Sequence, residues 1–406
     1  MQYIKCKQIY FEDGCKDGYL VVDGKKIVGF LGKDAQVEDY VDYSDYRIIP
    51  GIFDTHNHSS HGYAPNKTEE NVRGYLKGIA STGVTCILPT QEYNEGRPDY
   101  DIIYKLSQEE VDGATIMGIH SEDTERLGHR VGENGIPIAT DHIDMDLVKA
   151  TWENSHGLLK LCGIAPELPG SEEAIKYLTE RGVRVAFMHS EAEYAEARES
   201  FKKGITVSTH TCNVMRGIHH RHMGGLGACL LDPDLNCEII CDCLHNSPEM
   251  LELIFRVKGD FSKWMMISDS TDMTGAPAGV YIPYPGYTGD EKYYITEEGF
   301  CLDENGRLSG SAKPVIFGIK NLVERLNMPI ETVIKMASLN PARVYGFEET
   351  KGSIKIGKDC DLAVIDEDYN VIATYANGRK VFDKDVDKDL VNMAMVNACR
   401  VGDLEK

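Results

Sequence analysis

Ile48-Ile-Pro-Gly-Ile-Phe-Asp-Thr-His-Asn-His58 is an apolar run that ends abruptly in two imidazoles. Side chains alternate across a strand, so residues at i and i+2 share a face. His56 and His58, at the end of a buried strand, can therefore point at one ion. Taken alone, a His-x-His pair is equally at home in a polar loop, and the surrounding chain has to decide between the two.

Working outward, apolar runs of strand length alternate with amphipathic stretches of helix length, the pattern of a parallel sheet built from βα units. Eight strands are expected, near residues 48–56, 84–90, 115–122, 158–165, 183–189, 206–211, 238–244 and 264–269. Helix-like stretches at 69–81, 172–181, 191–203 and 247–258 carry charge on one face and apolar residues at three- and four-residue spacing. Eight such repeats point to an α/β fold closed as a (β/α)8 barrel of the TIM type rather than to an open sheet.

The two ends read differently. Short β-like pieces lie at 19–22 and 26–31, with Asp-Gly turns at 13–14 and 23–24, and again at 361–365, 371–375 and 380–382. Residues 1–50 and 350–383 are expected to pair into a small β-sandwich domain. That leaves 51–349 as the barrel and 384–406 as a C-terminal surface helix.

With 406 residues, 42% of them hydrophobic, the chain is long enough for one large domain and a smaller one. A net charge of −22 without a compensating Lys/Arg cluster argues against nucleic acid or an anionic membrane as partner. The first residues lack signal-peptide regions and no apolar run reaches spanning length, so a cytoplasmic location is expected. The twelve cysteines are scattered through strand-like runs, as reduced buried thiols are. Cys241 and Cys243 form a C-x-C pair with no second pair at zinc-ribbon spacing.

In a barrel the reacting groups come from the C-terminal ends of different strands. His56 and His58 end the first expected strand, Glu122 the third, His189 the fifth, His210 the sixth and Asp269 the eighth, and His245 follows the seventh. Five of the thirteen histidines and two carboxylates at such ends are too many for isolated structural histidines. Imidazoles and carboxylates suit zinc or another divalent first-row ion, and an open coordination position lets water ionise at about pH 7 instead of about 15.7. A carboxylate beside that water can carry its proton to the leaving group, a role that fits Asp269. A histidine facing the developing oxyanion completes a hydrolytic site, and His245 is the candidate.

These residues match, in order, the pattern of the amidohydrolase superfamily, and within it the sequence resembles the N-acetylglucosamine-6-phosphate deacetylase family. The resemblance is carried by Pro50-Gly-Ile-Phe-Asp-Thr-His-Asn-His58, Thr209-His-Thr-Cys-Asn-Val-Met215, His219-His-Arg221, Asp242-Cys-Leu-His245, Ser268-Asp269 and Thr274-Gly-Ala-Pro277. Leu308-Ser-Gly-Ser311, Ser338-Leu-Asn-Pro341, Gly352-Ser-Ile-Lys-Ile-Gly357 and Asp361-Leu-Ala-Val364 match later landmarks. It implies that Glu122, His189 and His210 are the main metal ligands, that His56 and His58 hold or complete a second position, and that Asp269 is the acid/base and also belongs to the metal-binding set. Asn213 would contact the sugar phosphate, and His245 the acyl carbonyl. Arg221 would bind phosphate, in the neighbouring subunit's site of a homodimer. One or two ions are implied, Zn2+ first, with Fe2+, Mn2+ or Co2+ as alternatives.

Two departures bear on substrate. The family's Gly-Pro after the metal-binding Glu is replaced here by Asp123-Thr-Glu-Arg126, and His222 and Met223 stand where an acidic residue and Pro are usual. His129 is a candidate for the substrate histidine of that loop, but its spacing does not align. Two rival readings stand beside the deacetylase. One is a cyclic-amide hydrolase resembling dihydroorotase or hydantoinase, with Lys160 as a carboxylated bridge between metals; Lys160 falls mid-strand, whereas Glu122 closes its strand. The other is a non-catalytic sugar-phosphate-binding barrel.

Overall fold

The structure, a computed structural model, describes residues 1–66, 68–131, 137–138 and 141–404. Its centre is a parallel eight-stranded barrel. The strands are Ile52–Asn57, Val84–Gln91, Ile119–Ser121, Leu159–Ile164, Arg184–Phe187, Ile205–Ser208, Asn236–Ile240 and Trp264–Ile267, paired in chain order. The Asp269 amide closes the ring by donating to the His56 carbonyl at 2.9 Å.

Inside the barrel, Phe53, Cys86, Leu88, Leu161, Ala186, Val207 and Met265 pack against Ala342 and Val344. The alternate residues, among them Ile52, Ile87, Val185 and Ile239, face outward into the larger core under the helices. Helices Glu69–Ala80, Ser171–Thr179, Tyr194–Lys203 and Pro248–Lys258 occupy stretches where the sequence pattern calls for them. Their starts are chemically specified: Thr68 accepts from the Asn71 amide, and Ser247, followed by Pro248, accepts from the Met250 amide.

The 48–56 run does not form one strand. Arg47–Pro50 belongs to a second sheet and Ile52–Asn57 to the barrel. Gly51 divides them, because a Cβ there would lie 2.2 Å from the Thr85 hydroxyl oxygen. The expected strand at 115–122 is likewise interrupted, into Thr115–Ile116 and Ile119–Ser121.

The second sheet has eight strands drawn from both chain ends. Gln2–Phe11, Gly14–Asp23 and Lys26–Gly32 form a meander. Arg47–Pro50 runs parallel to the first of these and antiparallel to Leu362–Ile365, so the two ends meet there.

Among the described residues of the tail, 384–404, the expected surface helix does not form. Lys388–Val391 and Ala394–Ala398 are two short helices, and Arg400–Gly402 pairs with Gly279–Tyr281 in a four-stranded sheet with Tyr293–Ile295 and Cys301–Leu302. Val396 and Cys399 are buried against Met273, Tyr281 and Ile295, which anchors the tail by its apolar side chains. Among the described residues no helix is long and apolar enough to cross a membrane.

Candidate active site

The mouth at the C-terminal ends of the strands holds a cavity of about 1700 Å³, whose lining includes His58, Glu122, His189, His210, Asn213, His245 and Asp269. His56 lies just beneath it, fully buried. A β-bulge brings His56 and His58 there: between Asp54 and Asn57 the register to the second strand slips by one residue. Such a bulge re-aims side chains at a barrel rim. His189, His210 and Asp269, each just beyond a strand end, adopt positive φ of 42°, 25° and 51°. These sparsely populated conformations cluster at the mouth, where strain is commonly stored.

Glu122 lies at the centre. Its Oε2 is 2.9 Å from His56 Nε2 and 3.1 Å from His58 Nε2, and Asp269 Oδ1 is 3.4 and 3.2 Å from those nitrogens. Its Oε1 is 3.2 Å from His210 Nε2 and 3.5 Å from His189 Nε2, and the two nitrogens are 3.0 Å apart. Two groups of ligand-type atoms therefore share one carboxylate, an oxygen to each.

The donor chemistry fits a cation. His189 Nδ1–H donates to the His129 carbonyl at 2.8 Å, which leaves its Nε2 a lone pair aimed at the cluster. Glu122 Oε1 is buried with no hydrogen-bond donor of acceptable geometry. Separations of 3.0–3.5 Å match the edge of about 3.3 Å that ligands about 2.0–2.1 Å from one ion span in tetrahedral geometry. Electrostatics make the same demand at the other group. Burial opposes a charge on His58, yet Asp269 and Glu122 override it and push its pKa up to about 9. Burial also works to raise the Glu122 and Asp269 carboxyls, but the neighbouring histidines hold both well below the ordinary carboxylate range. The carboxylates and histidines thus hold one another's charge, and a cation bound there would take the place of the imidazolium protons.

His245 stands across the cavity on a separate support. Asp242 Oδ1 accepts from the Leu244 and His245 amides at 2.9 Å, and Oδ2 accepts from His245 Nδ1 at 2.8 Å and from the Ser311 hydroxyl at 3.0 Å. Burial opposes a charge on His245, and Asp242 outweighs it and raises the pKa.

Of the expected residues, His56, His58, Glu122, His189, His210 and Asp269 are brought together, and His245 and Asn213 line the same cavity. Arg221 is exposed and is not among the residues lining this chain's cavity. His129 is buried against Glu167, 3.0 Å from Nε2, and meets the cluster through its backbone. Lys160 Nζ reaches back to the Gly157 carbonyl at 3.4 Å, toward the opposite end of its strand. Sequence reasoning gave no role to Arg216, held by Glu191 and Glu193, or to Arg307, held by Asp303, both of which line the cavity. It also gave no role to Glu238, or to Asp242 beyond its place in a motif. The signal for Glu238 is an acidic residue inside the apolar run Cys237-Glu-Ile-Ile240.

Comparison with known proteins gives a consistent result. Residues 289–381 match the Amidohydrolase family. The chain is 30% identical over 340 residues, 83% of each chain, to the N-acetylglucosamine-6-phosphate deacetylase of Vibrio furnissii. It is 28% identical to that of Bacillus subtilis (strain 168), covering 90% of this chain and 93% of the relative. The crystal structure of the enzyme of that name from Pasteurella multocida superposes with a TM-score of 0.81 at 26% identity, covering 93% of this chain and 99% of that one.

Proposed function

This chain belongs to the N-acetylglucosamine-6-phosphate deacetylase family of amidohydrolases, and from that premise we propose the reaction its site carries out. The enzyme hydrolyses the acetamide of N-acetylglucosamine 6-phosphate to glucosamine 6-phosphate and acetate. The observation that carries the reading is Glu122, whose two oxygens divide the ligand atoms into two groups beside Asp269.

Glu122, His189 and His210 would hold one divalent cation, zinc in our reading, and His56 and His58 together with Glu122 would hold a second. When bound, such a cation lowers the pKa of water and polarises a carbonyl. Asp269 accepts the proton of the attacking water and delivers it to the leaving nitrogen, so it must begin ionised. His245 faces the acetyl carbonyl. Because its Nδ1–H is committed to Asp242, Nε2 carries a proton to donate only when the ring is an imidazolium, and Asp242 stabilises that form.

Asn213 is held beside this centre by its bonds to the His210 carbonyl and contacts the sugar phosphate. Arg216 and Arg307 are already paired with carboxylates of the same chain. The family resemblance assigns the phosphate contact to Arg221, exposed on the loop after the sixth strand and acting in the other subunit of a homodimer, and its planar fork suits phosphate. The cyclic-amide reading loses its support, since Lys160 reaches away from the cluster.

Metal analysis of the purified protein tests the ligand assignment. Two ions per chain are expected, with loss of both in Glu122→Gln. Retention of two ions by that variant would contradict it.

A further inference from the structure

One buried carboxylate has no part in the chemistry above. Glu238, on the seventh barrel strand, has no exposed surface, and its neighbours Cys237 and Ile239 point outward into the helix layer. It therefore points into the barrel, beneath the site. Its Oε1 accepts from the Thr55 hydroxyl at 2.9 Å, and its Oε2 lies 3.3 Å from His56 Nδ1. Among the described residues, His56 is the only group capable of positive charge that pairs with it. A buried carboxylate is retained only where something compensates its charge.

His56 is consequently held between two carboxylates, Glu238 on Nδ1 and Glu122 on Nε2. An imidazole that donates Nδ1–H downward presents an Nε2 lone pair upward, toward the atoms of Glu122, His58 and Asp269. The other group is supported differently, for His189 donates to a neutral backbone carbonyl.

Resting on the two-cation reading, we propose that Glu238 is the positioning residue of the cation position held by His56 and His58. It fixes the tautomer and tilt of His56 and lends that position a negative charge which the His189/His210 position does not receive. The two positions then differ in how they depend on residues beneath them, and Glu238 controls one of them.

The test uses the full chain and measures Zn2+ content and affinity by chelator competition, independently of turnover. The parent is expected to bind two ions. Glu238→Gln, similar in volume and still able to bond Thr55, is expected to keep the first at parental affinity and to bind the second roughly 10–100-fold more weakly. Parental affinity for both ions in Glu238→Gln would overturn the proposal, as would equal weakening of both in a folded variant. If Glu238→Gln fails to fold, Glu238→Asp, which keeps the charge but withdraws it from His56, is expected to weaken only the second ion, and unchanged binding overturns the proposal. A parent that binds fewer than two ions overturns the two-cation reading itself.

Discussion

Asp242→Asn perturbs the mechanism at one atom. In the parent, Asp242 Oδ2 accepts from His245 Nδ1 and from Ser311, while Oδ1 is occupied by two backbone amides. An asparagine that keeps its oxygen on those amides places its NH2 against Nδ1, where it must donate, to Ser311 as well as to His245. His245 then becomes a neutral ring with its proton on Nε2. It still donates to the acetyl carbonyl, but a neutral donor replaces a charged one. A hydrogen bond involving a charged group is worth about 1.5–3 kcal/mol and a neutral one about 0.5–1.5, so the exchange costs about 1–1.5 kcal/mol and predicts a fall in kcat/KM of roughly 5–13-fold near neutral pH. The pH profile discriminates further. The parent needs the imidazolium, whose pKa Asp242 raises, so kcat/KM falls as pH rises through that pKa. The variant loses this alkaline limb or shows it at lower pH. Acetate release across the pH range, with metal content checked at each point, reads both effects. A variant slowed but with the limb unmoved would refute the charge argument and reduce Asp242 to loop packing.

Other predictions follow the same contacts. Asp269→Asn should fold and keep metal yet lose most of its hydrolytic rate, measured as single-turnover acetate release; parental activity would remove Asp269 from the proton transfer. Lys160→Ala should keep both activity and metal content, and joint loss of the two would restore the carboxylated-lysine reading. His61 is buried, and desolvation pushes its pKa down to about 4. The unfolded chain, titrating near 6.5, binds that proton first, so stability present above about pH 6.5 drains away as pH falls toward 4. From the two pKa values about 2 kcal/mol is lost by about pH 5. Denaturant unfolding at two pH values should show this component disappear in His61→Gln.

Much of this architecture was legible in the chain because strand and helix periods differ and the barrel repeats both. The strand ends at His189, His210 and Asp269 could be read because an apolar run stops where the wall of the barrel stops. What could not be read depends on long-range geometry. The bulge at Asp54–Asn57 turns His56 inward, and it comes from register against the second strand, which no local pattern encodes. The strands Arg400–Gly402 and Tyr293–Ile295 are too short for period-2 alternation to show, and Arg400–Gly402 pairs with Gly279–Tyr281, more than a hundred residues distant. The orienting roles of Asp242 and Glu238 could not be read for a related reason. Their roles are defined by the histidine each one orients, and only folding brings Glu238 to His56.

If the reaction proposed above is right, this mouth removes acetate from an amino-sugar phosphate. The most direct test incubates the zinc-loaded protein with N-acetylglucosamine 6-phosphate, the unphosphorylated sugar, the galactosamine isomer and dihydroorotate, and measures acetate and free amine, or ring opening for the last. Fast, equimolar release of acetate and amine is expected from the first compound, abolished when the metal is chelated and restored on reloading. Metal-loaded protein that leaves every amino sugar intact, or that opens dihydroorotate instead, would contradict it.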